Sequence, residues 1–300
     1  MVHSRFQILW RARWLAVIVT GIIVVALAGL TSGSTPPPEE ALIALGRGLM
    51  AERRLSADGT TSCIDCHRPA AGYTDGLPTA RPGGLNTPPL WGLDERHAFG
   101  WFLPDVTSLE AMVLRPLDDP AEMGPRLETT LARLRADPAT VAAYAQAFPQ
   151  ARQLVTWEQT GAALAAAVRS IPEPESAYDR YLAGDTEALS VEARRGATLF
   201  AELGCTSCHR PPLFATDSYH NVGVAAGELP NNGRARVPTL RGIRHTAPFF
   251  HDGSATTLEA VVRAYEQGGQ VNSEDVSPAI TPFLLTDQDV LDLVAFLSSL

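Results

Sequence analysis

Apolar residues recur at intervals of three and four along much of this chain, which is the spacing of an amphipathic helix. Segments with this pattern, several of which carry Ser, Thr or Asp near their starts, lie at 107–117, 126–136, 157–171, 190–200, 256–265 and 286–300. Strand patterns are weak throughout, and Pro- and Gly-rich stretches such as 79–92 and 228–242 separate the helical segments. The sequence therefore predicts a mostly α-helical protein.

An internal repeat divides the chain. ALGRGLMAE at 44–52 is similar to RRGATLFAE at 194–202, and each is an amphipathic helix that leads through a loop to the sequence CxxCHRP. Since the two CxxCHRP motifs stand 142 residues apart, the repeat indicates two domains rather than a short-period array. We place the first domain at about 36–170 and the second at about 175–300, with 171–185 as the segment that crosses between them.

The N-terminus has a different pattern from the rest of the chain. Arg5, Arg11 and Arg13 precede a run of 17 mostly apolar residues at 14–30, which small and polar residues follow. This order is typical of an export signal at 1–34. The run is close to the length that spans a bilayer, so an uncleaved membrane anchor is the alternative. In both cases we expect the working part of the protein outside the cytoplasm, in the periplasm.

Composition and charge exclude some classes of function. An apolar fraction of 45% is normal for a packed globular protein, so the chain is not a disordered one. Without residues 1–34 it has 21 basic and 33 acidic residues, which argues against a nucleic-acid partner. An acidic surface favours a basic protein partner through electrostatic steering, but the same charge also keeps an exported protein soluble.

The cysteines supply the candidate chemistry. All four stand in CxxC pairs that a histidine follows directly: Cys63, Cys66 and His67, then Cys205, Cys208 and His209. Two disulfides, a zinc site of four thiolates and a thioredoxin-like pair are alternatives, but none of them explains both histidines. Thioether attachment of haem needs the two cysteines, and axial ligation of its iron needs the histidine. The sequence therefore predicts two c-type haems with His67 and His209 as iron ligands.

The second axial ligand of the second haem is not a methionine from its own half. The four methionines are Met1, Met50, Met112 and Met123, and none follows residue 123.

Several segments together resemble the bacterial dihaem cytochrome c peroxidases and the related MauG-type enzymes. They are SADGTTSCIDCHRPAAGYTDG, LNTPPL, TSLEAMVLRPLDDPAEMG, VPTLRGIRHTAPFFHDGSATTLE and LTDQDVLDLVAFLSSL. The resemblance covers nearly all of the chain after the export signal. It implies two c-type cytochrome domains packed around a shared interface, a peroxide-reactive haem in the first and an electron-transfer haem in the second. It also implies a calcium ion between them.

The resemblance assigns a pocket above the first haem. Glu122 matches an acid that moves protons between the peroxide oxygens, which a carboxylate with a raised pKa can do. Pro116 matches a proline of the same pocket, and Met112 replaces a glutamine found in relatives. Segment 76–90 lacks the histidine that blocks this iron in classical peroxidases, and His97 beyond it is an ordinary loop histidine. We therefore expect a first haem that is open to peroxide, as in MauG.

Other positions follow from the same resemblance. Asn86, by its side-chain oxygen, and Thr246 and Pro248, by their carbonyls, match the calcium site, and oxygen ligands suit this ion. Trp101, with Phe102 beside it, falls near the tryptophan that lies between the haems of relatives.

Tyr265 stands where the family has the second ligand of the second iron, which is methionine in the peroxidases and tyrosine in MauG. A phenolate there favours oxidised iron, whereas a thioether favours the reduced state. At Leu203 the chain departs from MauG, which has a tryptophan as its electron exit.

The leading hypothesis is a MauG-type oxidoreductase that reacts with hydrogen peroxide at the first haem and uses both irons to oxidise an external donor or a side chain of a partner protein. One alternative is a cytochrome c peroxidase that removes peroxide with electrons from a small redox protein. An alternative of another class is a dihaem electron carrier without catalysis.

Overall fold

A computed structural model describes residues 39–79, 84–94, 96–224, 229–269 and 275–300. The predicted export signal or anchor at 1–34 lies outside these residues. No helix within the described part of the chain is long and apolar enough to cross a membrane.

The prediction of a mostly helical protein is confirmed. The described residues form α1 (Glu39–Met50), α2 (Cys63–Cys66), α3 (Leu109–Val113), α4 (Glu128–Arg135), α5 (Pro138–Ala147), α6 (Trp157–Arg169), α7 (Ala177–Leu182), α8 (Val191–Glu202), α9 (Leu258–Glu266) and α10 (Asp287–Ser298). Two short strands, β1 (Tyr219–His220) and β2 (Ala235–Arg236), pair antiparallel with Tyr219 opposite Arg236. Ser, Thr and Asp side chains cap many of the helices, as at Thr156 before α6 and Thr286 before α10.

Three helices differ from the sequence pattern. α3 is shorter than the predicted segment because Pro116 disfavours helical backbone at the residue before it. α5 was not predicted, since its apolar residues spread around the helix instead of forming one stripe, although Asp137 caps it and Pro138 opens it. α7 lies inside the predicted crossing segment at 171–185.

The same helix crossing occurs in both halves of the chain and explains the internal repeat. α1 packs against α6, and a Cβ atom on Gly46 would lie 1.9 Å from the carbonyl oxygen of Ala163. α8 packs against α10, and a Cβ atom on Gly196 would lie 1.9 Å from the carbonyl oxygen of Asp292. Gly46 and Gly196 hold the same place in the repeated segments, so each repeat brings one helix backbone directly onto another.

Each crossing belongs to its own apolar core. The first includes Leu49, Leu164 and Tyr144, whose hydroxyl lies 2.7 Å from Thr160 Oγ1. The second core is rich in phenylalanine and includes the buried rings of Phe200, Phe214, Phe249 and Phe296. Both cores lie within one compact unit, Pro37–Leu300.

Candidate haem sites

The first CxxCH motif forms one helical turn. Cys63 and Cys66 are the ends of α2, so their side chains lie on one face, and the His67 N–H donates to the Cys63 carbonyl at 2.8 Å. The His67 ring nitrogen Nδ1 donates to the carbonyl oxygen of Tyr73 at 3.0 Å. This bond sets the tautomer and leaves Nε2 with its lone pair, which is the atom that an iron ion binds.

The second motif repeats this arrangement. The His209 N–H donates to the Cys205 carbonyl at 2.9 Å, and His209 Nδ1 donates to the Phe214 carbonyl at 3.1 Å. Tyr73 and Phe214 both have left-handed backbone, with φ of 57° and 50°. Left-handed backbone is uncommon for residues other than glycine, and here it occurs in both residues whose carbonyls orient a histidine.

Both histidines are suited to bind a metal ion at neutral pH. Burial lowers the pKa of His67, although the bond to Tyr73 acts against this, and burial lowers the pKa of His209 to about 4. Each imidazole is therefore neutral at neutral pH, and because Nδ1 carries its proton, Nε2 has none.

The cysteines are available for thioether bonds. None of the four is in a disulfide. Burial raises the pKa of Cys63 to about 12 and that of Cys205 to about 11, so both are protonated thiols at neutral pH. Among the residues that the structure describes, no cluster of three or more His, Cys, Asp and Glu side chains is placed to hold a metal ion, so the four thiols do not form a zinc site.

Buried positive charge also fits a haem group, which carries two carboxylates. Arg236 is buried and donates to backbone carbonyls of Gly100 and Val237, and no carboxylate of the described chain forms an ion pair with it. Burial, then repulsion from Arg96, lowers its pKa to about 10. Among the residues with a described structure, Arg96 has one acidic partner, Asp217, at 2.7 Å. Two buried cations with one carboxylate leave positive charge that haem propionates can neutralise.

A buried nitrogen supports the same fit. Nδ1 of His251 is buried and has no hydrogen-bond partner among the described residues. The ring packs against Phe102 at 4.9 Å between centroids and against Trp101 at 6.4 Å. Because an unsatisfied buried nitrogen is costly, it indicates a polar group that completes this site.

Tyr265 lies beside the second motif. It is on α9, and its pKa is raised first by burial and then by repulsion from Cys205 and Cys208. Repulsion between these groups requires that the phenol and both thiols be close. Its ring lies 6.2 Å from that of Phe250. A phenol therefore lies at the second site. Residues 124–300 contain no methionine.

The pocket residues of the first site lie on one segment. Met112 is on α3 and is partly buried against the first core, and the carbonyl of Pro116 accepts the Met123 N–H at 3.1 Å. Met123 in turn accepts the N–H of Ala57 at 2.8 Å, which ties the segment to the chain just before the first motif. Glu122 is exposed on this segment, and its charge contributes to the raised pKa of Cys63. The carboxylate is therefore near the motif but in contact with water.

Trp101 connects the two halves. Its indole N–H donates to the Asn86 carbonyl at 2.7 Å, and its own carbonyl accepts the Arg236 N–H at 2.8 Å. His97, which we interpreted as a loop histidine, is exposed, and its N–H donates to Asp217 at 3.0 Å. Leu203 caps the C-terminus of α8 and packs against the second core.

Oxygen atoms from both halves meet at Asn86. The Asn86 side-chain nitrogen donates to the carbonyls of Leu77 at 3.0 Å and Pro248 at 3.2 Å. The nitrogen faces these carbonyls, whereas the prediction had the side-chain oxygen as an ion ligand. Rotation of the amide by half a turn would present its oxygen to a cation held by the same carbonyls. Thr246 is close in sequence, but its hydroxyl donates to Ile243 at 3.1 Å.

Several groups of the site had no signal in the sequence. The orienting groups of Tyr73, Phe214 and Leu77 are backbone carbonyls, which any residue has. Arg236 and His251 stand out as site residues only because their side chains are buried. A burial estimate could have found them, but residue type and spacing could not.

Comparisons with known proteins agree with this arrangement. The sequence profile of di-haem cytochrome c peroxidases matches residues 40–187, and that of cytochrome c matches residues 193–300. The chain is 34% identical over 276 residues to the methylamine utilization protein MauG of Methylorubrum extorquens, over 86% of this chain and 77% of that protein. It is 30% identical over 292 residues to cytochrome c551 peroxidase of Nitrosomonas europaea, over 87% and 86% of the two chains.

Solved structures show the same fold. A MauG-like protein associated with microbial copper homeostasis superposes with a TM-score of 0.76 at 30% identity, over 90% of this chain and 94% of that one. The diheme peroxidase BthA of Burkholderia thailandensis superposes with a TM-score of 0.73 at 23% identity, over 88% and 86%. The prediction of two c-type cytochrome domains with covalent haem is confirmed by these matches.

Proposed function

Because the chain belongs to the family of di-haem cytochrome c peroxidases and MauG proteins, we propose that it is a peroxide-dependent oxidoreductase of the MauG type. It reacts with hydrogen peroxide at the first haem, and both irons hold the oxidising power. The electrons come from an external donor or from a side chain of a partner protein. We place this reaction in the periplasm, in keeping with the export pattern at 1–34.

The position of Tyr265 carries the proposal. Burial, then the neighbouring Cys205 and Cys208, raise the pKa of its phenol, which puts it beside the second motif, and residues 124–300 contain no methionine. Iron binding lowers the pKa of a phenol, as it does for other metal-bound donors, so the ligand is the phenolate. An anionic oxygen stabilises oxidised iron, which suits a haem that stores an oxidising equivalent better than one that accepts electrons from a small cytochrome.

The first site supplies proton transfer. When bound, the haem iron supplies the redox chemistry of O–O cleavage. Glu122 takes a proton from one peroxide oxygen and returns it to the other, and its exposure lets it exchange protons with water. Met112 adds an apolar wall where relatives offer a hydrogen-bond donor, so Glu122 carries the acid–base role on this side.

Peroxide removal at the expense of a redox protein is the second candidate. It is favoured by the match of residues 40–187 to the di-haem peroxidase profile and by relatives that are named cytochrome c peroxidases. A carrier without catalysis requires two ligands on both irons, and segment 76–90 has no histidine for the first.

A calcium ion completes the proposal. Asn86, with its amide rotated, and the Leu77 and Pro248 carbonyls would hold it between the halves, and Thr246 would join through its carbonyl.

Absorption and EPR spectra before and after one equivalent of peroxide test the proposal. We expect one high-spin haem that reacts with peroxide and one low-spin haem. Two low-spin haems that ignore peroxide would establish the carrier instead.

Replacement of Tyr265 distinguishes the MauG-type oxidoreductase from the cytochrome c peroxidase. Tyr265→Met should raise the reduction potential of the second haem and shorten the life of the oxidised state, since a neutral thioether replaces an anionic oxygen. Tyr181→Met makes the same exchange on α7 and should leave both potentials unchanged. If Tyr265→Met also leaves them unchanged, Tyr265 is a packing residue and the MauG-type assignment fails.

A further inference from the structure

The carbonyl that orients His209 lies in a loop that a second loop holds in place. Three consecutive carbonyls of the first loop each accept a hydrogen bond from residues 239–241. Arg241 Nε donates to Pro212 at 2.8 Å, Thr239 Oγ1 donates to Leu213 at 2.7 Å, and the Leu240 N–H donates to Phe214 at 3.3 Å. Segment 239–241 therefore fixes the path of the backbone up to the carbonyl that accepts the His209 Nδ1 proton.

Arg241 makes its bond with a buried side chain. It is 7% exposed, and its guanidinium carbon lies 5.8 Å from the centre of the Phe214 ring, which is within the range of a cation–π contact. Its backbone is also fixed, because its carbonyl accepts the Trp91 indole N–H at 2.8 Å. The side chain thus contacts both the Pro212 carbonyl and the ring of the residue that orients His209.

The segment between the two halves anchors this guanidinium. Arg241 Nη1 donates to Asp179 Oδ2 and, at 3.3 Å, to Ser176 Oγ. The Ser176 hydroxyl donates to Asp179 at 2.6 Å, and a carboxylate oxygen of Glu173 lies 3.8 Å from Arg241 Nε. A buried guanidinium is costly unless it is paired and hydrogen-bonded, so these partners keep it in one position.

The backbone at Phe214 needs such support. Its φ of 50° is in the left-handed region, which residues other than glycine keep only where their surroundings hold them there. The Phe214 ring is 1% exposed and packs against the rings of Tyr178 and Phe296. Ring packing places the side chain, whereas the bonds to the two preceding carbonyls set the direction of the backbone.

We propose that Arg241 is a positioning residue for the second haem, which keeps the Phe214 carbonyl on His209 Nδ1 and thereby lowers the reduction potential of that haem. A well-directed bond from Nδ1 raises the basicity of an imidazole ligand, and a more basic ligand stabilises oxidised iron. The effect belongs to the second haem, because His67 is oriented by the carbonyl of Tyr73. The inference needs a haem on the second motif but not the peroxide reaction, so it goes beyond the proposed function.

Removal of the Arg241–Asp179 pair tests the role. Arg241→Met combined with Asp179→Asn leaves the net charge unchanged, so a shift in potential does not come from a lost charge. Spectroelectrochemical titration follows both haems. We expect the equilibrium constant for reduction of the second haem to rise by about tenfold, which is a shift of about 59 mV for one electron. Its low-spin EPR signal should shift as well, while the first haem keeps its parental potential.

The matched control is another ion pair of the second half. Arg195→Met combined with Asp292→Asn makes the same two exchanges between α8 and α10. It should lower the melting temperature and leave the potential of the second haem at the parental value. This control separates the bond to His209 from a general loss of stability.

A neutral variant decides the case if the double variant does not mature. Thr239→Val keeps the shape of the side chain but removes its bonds to the Leu213 carbonyl and to the Arg241 N–H. The potential of the second haem should rise in this variant too, by less than in the double variant.

The outcomes are distinct. A second haem at or below the parental potential in the double variant, or in Thr239→Val if only that protein matures, contradicts the positioning role. An equal rise in the Arg195–Asp292 control also overturns it, because loosened packing would then set the potential. None of these titrations uses peroxide, so a parent protein that ignores peroxide contradicts the proposed function and leaves this inference standing.

Discussion

Two backbone carbonyls determine which ring nitrogen of His67 and of His209 carries the proton. Tyr73 and Phe214 adopt left-handed backbone, and each carbonyl then takes the Nδ1 proton of a histidine five or six residues before it. The other ring nitrogen is left free of a proton. A CxxCH sequence supplies the ligands, whereas these two carbonyls fix the nitrogen that is used.

The first prediction is at Glu122. Glu122→Gln removes the carboxylate but keeps its shape, so both haem spectra should remain while peroxide turnover falls by about 100-fold, which is within the usual range for a lost acid–base group. Glu187→Gln, at another exposed glutamate, should not change turnover. Stopped-flow absorption gives the rate at several pH values. A Glu122→Gln protein as fast as the parent at every pH would assign the proton transfer to water or another residue.

At the scale of elements, the helix crossing places one backbone against another. Gly46 on α1 and Gly196 on α8 meet carbonyl groups of α6 and α10, where no side chain fits. The crossing in the second half is also held by charge, since Arg195 on α8 binds Asp292 on α10 with two bonds of 2.6 and 2.7 Å. A loop connects the first helix of each crossing to the CxxCH motif that follows it, so the crossing positions the motif.

Two glycines of α1 give opposite expectations for the same change. Gly46→Ala should lower the stability by at least about 1–3 kcal/mol, the range for overpacking, because the new Cβ lies 1.9 Å from the Ala163 oxygen. Gly48→Ala meets nothing within 4 Å and should raise stability by about 0.5–1 kcal/mol, because alanine loses less backbone entropy. Thermal unfolding of the haem-loaded proteins measures both. Equal melting temperatures would contradict the close crossing.

The Arg195–Asp292 pair predicts a dependence on pH. The hydrogen bonds from Arg195 lower the pKa of Asp292 below its ordinary value of 3.8. A folded pKa below the unfolded one stabilises the protein above the unfolded value, and this stabilisation is lost as pH falls through the folded value. Arg195→Met should therefore lower the melting temperature at pH 7 and approach the parent below about pH 4.

Arg194→Met is the matched control, because within the described chain the Arg194 side chain makes only a long 3.4 Å bond to the Thr186 carbonyl. It should follow the parent at every pH. A constant difference between Arg195→Met and the parent across the pH range would mean that lost packing, not the ion pair, destabilises the variant.

At the scale of the whole molecule, polar contacts join the halves. Arg96 binds Asp217, Asn86 binds Pro248, the Trp91 indole binds the Arg241 carbonyl, and the Trp101 carbonyl accepts the Arg236 N–H. These contacts lie beside the histidine sites, so the relative placement of the haems depends on them. The outer surface, in contrast, is acidic and carries all of its positive charge as arginine.

Calcium should stabilise the joined halves. If Asn86 and the carbonyls of Leu77 and Pro248 hold the ion, chelation should lower the melting temperature and calcium should restore it. At 100 times the dissociation constant the gain is about 2.7 kcal/mol. Asn86→Ala should abolish the response, and magnesium should not replace calcium, because it requires a tighter octahedral site. A melting temperature that ignores both chelator and calcium would remove the ion from the proposal.

The sequence by itself determined the fold class and the covalent chemistry. Apolar residues at intervals of three and four predicted most of the helices, because that spacing is a property of each segment alone. The two CxxCH motifs predicted the haems, because attachment needs residues that are adjacent in the chain. Resemblance to a known family added Glu122, Tyr265 and Asn86, which no local pattern would have selected.

The tertiary structure alone decided what lies between the two motifs. Trp91 is an ordinary aromatic in a Pro-rich segment until folding places it between Tyr73 and Arg241, 150 residues further along the chain. His251 and Arg236 become distinctive only when they are buried: in the described chain, Nδ1 of His251 has no hydrogen-bond partner and Arg236 has no acidic one. Burial and contacts between distant residues arise from packing of the whole chain, so residue type and spacing cannot show them.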